Sequence, residues 1–233
     1  MRSILAAACI AAASCSRAPS PSHEVPRNAS PEEHMSHAAA LPEKLVADAY
    51  GELFYYPQHD ETIAKIWNEP GNAAALETLI DDPKAPAKAR FVAAEVLFAR
   101  DLTFVRRHDR AMIARIYAVA LQRKLTGHLN AWGFLWYDDT AGLVGDRFSS
   151  LGKAAIPVLR ELLEDRTVMR GYFGSEEATI GNGAKFRIRD FAAYYLSQIV
   201  DKPLALKEEP PMSADYAMRD AAIAKLVADL PGD

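Results

Sequence analysis

The segment 151-LGKAAIPVLRELLEDR-166, followed by 168-VMRGYFGSEEATIGNGA-184 and 185-KFRIRDFAAYYLSQIV-200, decides how this chain is read. The outer pieces place apolar residues at three- and four-residue steps, the spacing of a helix with one buried face. The middle piece is polar and carries Gly181-Asn182-Gly183, so it reads as an excursion between two helices. Gly181-Asn182-Gly183 lacks the preceding strand, the longer glycine pattern and the lysine of a phosphate-binding loop.

The same pattern occurs earlier. Arg90-Phe91-Val92-Ala93-Ala94-Glu95-Val96-Leu97 aligns without gaps on Arg189-Asp190-Phe191-Ala192-Ala193-Tyr194-Tyr195-Leu196, both R-x-x-A-A-x-x-L. The preceding helices also align, Leu76, Leu79, Ile80, Asp81 and Asp82 on Leu159, Leu162, Leu163, Glu164 and Asp165. A weaker third copy is Arg219-x-x-Ala222-Ile223-x-x-Leu226. Leu79 to Leu162 is a displacement of 83 positions and Arg90 to Arg189 one of 99, so the second unit holds about 16 additional residues. They fall within 168–186, and long connections in compact domains are often functional. Tyr172, Phe173, Glu176, Glu177 and Asn182 are therefore the candidate contacts for a partner or ligand.

A first helix with a proline, an acidic turn, and a second helix opening on Arg with an Ala pair resembles the HEAT repeat; Ala155-Ile156-Pro157-Val158-Leu159 is the best single match. The resemblance covers about half of the chain that follows residue 14. It implies stacked helical hairpins of the armadillo type, each burying faces that it cannot cover alone. It also implies a structural ladder between turn Asp and helix Arg, pairing Asp82 with Arg90 and Asp165 with Arg189.

Around this frame the chain reads as all-α. Leu41 to Phe54 forms an amphipathic helix stopped by Pro57, and His59 to Trp67 a shorter one. Asn72 is the expected N-cap of the next helix, and Asp81-Asp82-Pro83 with Pro86 forces a turn before Ala87 to Arg100. Thr103 to Leu125 is the longest periodic run; Arg106, Arg107, Asp109, Arg115 and Arg123 mark its solvated side, whose arginines could also form a binding surface. The aromatic run Trp132 to Tyr137 suits a core at this spacing better than a stacking platform. Residues 203–211 read as a linker, and Ser213 as the cap of a last helix with Tyr216, Ile223, Leu226 and Val227 on its apolar side.

The 233 residues are 50% hydrophobic and 25% charged, as in ordinary globular domains, and the net charge of -4 gives no general attraction to nucleic acid. Both cysteines, Cys9 and Cys15, lie in the first fifteen positions, so the domain contains neither a disulfide nor a thiolate-bound metal. Arg2, the apolar run Ile4 to Ala13, and small residues before Cys15 resemble a bacterial lipoprotein signal, although Ala12 stands where that pattern prefers Leu. The resemblance implies cleavage of residues 1–14, lipidation of Cys15, and a periplasm-facing position on a membrane, the outer one expected. Residues 15–40, rich in Ser, Pro, Ala, His and Glu, then form a disordered tether reaching on the order of 25–30 Å. His23, His34 and His37 in it have no ligand spacing.

Residues 41–233 are thus expected to be one helical repeat domain that binds another envelope protein, with no nucleic-acid partner, no metal and no cofactor. No GxSxG elbow or HExxH pair occurs. The alternative is an enzyme or metal-dependent site drawing on Glu176, Glu177, Asp138, Asp139 and His128 around the insertion; it requires those groups to converge.

Overall fold

The structure is a computed structural model that describes residues 40–47, 53–54, 58–136, 142–202, 204 and 215–230. Residues 1–39, on which the expected leader, Cys15 and the expected tether fall, lie outside the described residues, as do Asp138, Asp139 and Ser213. The fold is all-α. Its helices are α1 (40–46), α2 (Gln58–Trp67), α3 (Asn72–Asp81), α4 (Ala87–Arg100), α5 (Phe104–Arg107) and α6 (Arg110–Gln122). After a 3-10 turn at Asn130–Trp132 come α7 (Gly142–Ser150), α8 (Ile156–Leu162), α9 (Ser175–Ala184), α10 (Ile188–Ile199) and α11 (Tyr216–Ala228). Among the described residues no strand forms; an isolated antiparallel bridge joins Val168 to Arg187.

Helix α3 packs on α4, α4 on α6, α6 on α8, α8 on α10, and α10 on α11. The two R-x-x-A-A-x-x-L copies occupy α4 and α10, where both Ala pairs, both Phe residues and both Leu residues are fully buried. Small residues at those positions let neighbouring backbones approach closely. The core is joined by rings: Phe91 stacks between Phe54 and Trp132 and meets the edge of Tyr117. The core also contains an ionisable side chain, Glu95 on α4, which is 0% exposed. Its carboxylate accepts a hydrogen bond from the Tyr117 hydroxyl and pairs with Arg147 Nε at 3.2 Å, tying α4 to α6 and α7.

Several expectations are corrected. Gly71, not Asn72, holds the cap position of α3, with a positive φ of 83°. Asn72 is instead buried and its amide donates to the Ile66 carbonyl at 2.6 Å, closing the end of α2. The run Thr103–Leu125 is broken at His108, because Asp109 caps α6 by accepting from the Ala111 amide. Helix α11 is capped by Asp215, and Val227 on it is exposed rather than core-facing. The polar excursion contains a helix, α9.

The proposed ladder charges are joined differently. Arg90 donates through Nε and Nη2 to the Ile80 carbonyl at 3.0 and 2.6 Å, and Asp82 accepts from the Lys84 amide. The physical reason is the C-terminal end of α3: its last carbonyls have no partner within the helix and form its negative pole, so a guanidinium caps them. Asp165 accepts from the Thr167 amide and from Gln122, and its main-chain carbonyl accepts the Arg189 amide. The Arg189 side chain pairs with Asp220 of α11 at 3.2 Å.

Candidate functional site

The insertion 168–186 folds back against the aromatic segment that precedes α7. Tyr172 is buried, and its hydroxyl donates to the Gly133 carbonyl at 2.9 Å while its ring meets Trp136 edge-on and Phe134 face-on. Burial holds this phenol neutral, well above its usual pKa. Gly181 allows the contact: a Cβ there would overlap the Tyr172 ring and crowd Trp136. Helix α9 is thus set by packing, although its Ser, Thr and Gly residues are weak helix formers.

Two asparagines clamp the chain between α9 and the body. Asn182 accepts from the Gly171 and Tyr172 amides at 2.9 and 3.1 Å and donates to the Tyr172 carbonyl. Asn130, on the opposite segment, accepts from the Phe173 amide at 2.9 Å and donates to the Phe173 carbonyl at 2.8 Å. With its main chain held on both sides, Phe173 turns outward and is 54% exposed.

Phe173 forms one wall of a pocket of about 640 Å³. The other described walls are Phe54, His59 and Asp60 at the start of α2, His128 to Phe134 through His128, Asn130, Ala131 and Phe134, and Leu143 on α7. The volume is within the range of small-molecule and side-chain pockets, roughly 300–1,000 Å³. Burial lowers the pKa of both His59 and His128, so both imidazoles are neutral at pH 7. His128 donates from Nε2 to the Phe54 carbonyl at 3.1 Å and meets the Phe173 ring at 6.2 Å. His59 Nδ1 contacts the Asp60 carboxylate at 3.2 Å; since a carboxylate accepts, that nitrogen carries the proton. The arrangement is an aromatic cleft with two imidazoles, the Asn130 amide and the Asp60 carboxylate at its rim, its apolar walls suited to an apolar or aromatic guest.

Of the residues expected at a site, Phe173 lines this pocket, whereas Tyr172 and Asn182 hold its wall from behind. Glu176 and Glu177 occupy the first turn of α9, where negative charge favours the helix pole, and are not among the pocket walls. Glu177 folds back over Gly174. His128 does reach the pocket, but among the described residues no group of three His, Cys, Asp or Glu side chains is placed to hold a metal ion. Sequence reasoning missed Phe54, His59, Asn130, Phe134 as a wall residue, and Leu143. They come from separated stretches, and no spacing rule links them.

Compared with family models, curated proteins and solved structures, the chain matches none. Among the described residues no helix is long and apolar enough to cross a membrane.

Proposed function

We propose that this is a lipid-anchored, HEAT-like helical repeat protein of the bacterial envelope that binds another envelope protein. The pocket around Phe173 is its contact site. One observation carries the reading: an aromatic side chain is held outward by paired asparagine clamps, at the mouth of an apolar pocket. Exposed aromatics on a fixed backbone lose little entropy on binding, and such residues dominate interface energetics. The shared burial of the repeated Ala and Leu positions supports the repeat reading. The apolar run before Cys15 supports the anchor.

The test is site-specific photo-crosslinking in cells expressing the full chain. A crosslinker at Phe173 is expected to give a discrete adduct with one envelope protein, and Asn130→Ala to abolish it by releasing the Phe173 main chain. A crosslinker at exposed Val227 is expected to give none. Equal labelling from both positions would remove the pocket as the contact site. Cys15→Ser is expected to move the chain out of the membrane fraction, and its continued retention there would remove the anchor.

A further inference from the structure

A second cleft, on the side of the fold formed by the α3–α4 turn and α6, has a different chemistry. Its volume is about 360 Å³, and its walls include Pro86 and Ala87 at the start of α4, Arg90 on α4, and Arg115, Val119 and Arg123 on α6. Three arginines thus line one small space, and no carboxylate is among its described walls.

Their existing partners leave positive charge unmatched. Arg115 is compensated by Glu161, which accepts both of its terminal nitrogens. Arg90 donates Nε and Nη2 to a neutral carbonyl and touches Met112 sulfur, which leaves Nη1 without a described partner. Asp81 and Asp82 lower the cost of the Arg90 charge by proximity, but Asp81 is engaged with His108 and Asp82 with the Lys84 amide. The Arg123 guanidinium makes no hydrogen bond or ion pair with any described residue. The positive pole of α4, a helix of 14 residues with no side-chain cap and no acid in its first turn, opens on the same space through Ala87.

We propose that this cleft binds a phosphate group. Planar guanidiniums recognise tetrahedral oxyanions through paired N–H donors, and a helix N-terminus adds main-chain donors to the same ligand. The two guanidiniums without a carboxylate partner match the charge of a phosphate dianion. Val119 and Ile116 give the wall an apolar side, and the volume exceeds that of the phosphate alone, so an ester substituent has room. The site is independent of the Phe173 pocket and stands whether or not that pocket is a protein-binding one.

The experiment is calorimetric titration of the folded protein with inorganic phosphate and, in a second arm, glycerol 3-phosphate, at constant ionic strength set with chloride. Saturable one-to-one binding of either is expected. Tighter binding of the ester identifies an esterified headgroup as the natural source, and equal or tighter binding of inorganic phosphate identifies the free ion. Arg123→Gln, an exposed position, is expected to weaken binding about tenfold, as the loss of one charged hydrogen-bonding partner implies. Val119→Glu, which puts a carboxylate into the wall, is expected to weaken it further, while Lys65→Gln on α2 leaves it unchanged. No heat beyond the chloride control, or wild-type affinity in both Arg123→Gln and Val119→Glu, overturns the proposal.

Discussion

Two single residues show how little freedom the site's supports have. Gly181 lies against the Tyr172 ring and Trp136, both buried and unable to retreat. Gly181→Ala is expected to destabilise the fold by about 1–3 kcal/mol, read as a lower urea midpoint, although alanine is the better helix former. Glu95 presents the opposite case, a buried acid whose burial raises its pKa above 4.5 despite Arg147 and the Tyr117 hydroxyl. Below 4.5 both folded and unfolded chains hold this proton; above it the unfolded chain releases it first, so folding becomes less favourable as pH rises to the raised value. Relative to Glu95→Gln, the wild type is therefore expected to lose stability as pH rises above 4.5. Denaturation of both proteins across that range checks the sign. At this scale the sequence was informative in an inverted way: Tyr172 and Asn182 stood out among polar surroundings, yet they are internal props. Their hydrogen-bond partners, Gly133 and the Gly171–Tyr172 main chain, become neighbours only through packing.

Among the elements, α4 and α10 were legible because their apolar faces follow the helical period and their Ala pairs repeat. Helix α9 was not, since Gly181, Gly183, Ser175 and Thr179 offer no propensity signal and the element is held by tertiary contacts. The break after α5 was hidden for a similar reason: His108 turns to Glu77 and Asp81 on α3, a contact 27 or more residues away in the chain. Helix α11 illustrates attachment by charge. Asp220 on it pairs with Arg187 at 2.7 Å, Arg166 at 3.1 Å and Arg189 at 3.2 Å. Asp220→Asn is expected to cost about 1–3 kcal/mol, because Arg187 is nearly buried and loses one of its two carboxylates. Hydrogen exchange should localise the loss: amides of α11 exchange faster, while those of α4 and α6 keep their protection.

Across the described residues, packing runs from each helix to its near neighbours in the chain, and aromatic rings cross those boundaries, Phe91 at their centre. Phe91 meets Phe54 from the N-terminal part, Tyr117 of α6 and Trp132 before α7. Phe91→Ala is expected to cost about 3–5 kcal/mol and to lower the melting temperature in a single calorimetric transition, because its contacts span the elements. A separate early transition confined to one end would contradict that account of the core. The all-α class was readable at this scale from periodicity alone. The Phe173 pocket was not, because its walls join residues as distant as Phe54 and Phe173. The placement of Trp136 has an optical consequence. Its indole lies 5.2 Å from the ring of Phe134, a pocket wall, and stacks on buried Phe186 at 6.0 Å. A guest entering beside Phe134 changes the polarity around that indole, so its fluorescence emission is expected to shift on binding and to stop shifting in Trp136→Phe. The pocket therefore carries its own label-free reporter, with which candidate guests can be screened in solution before any is known.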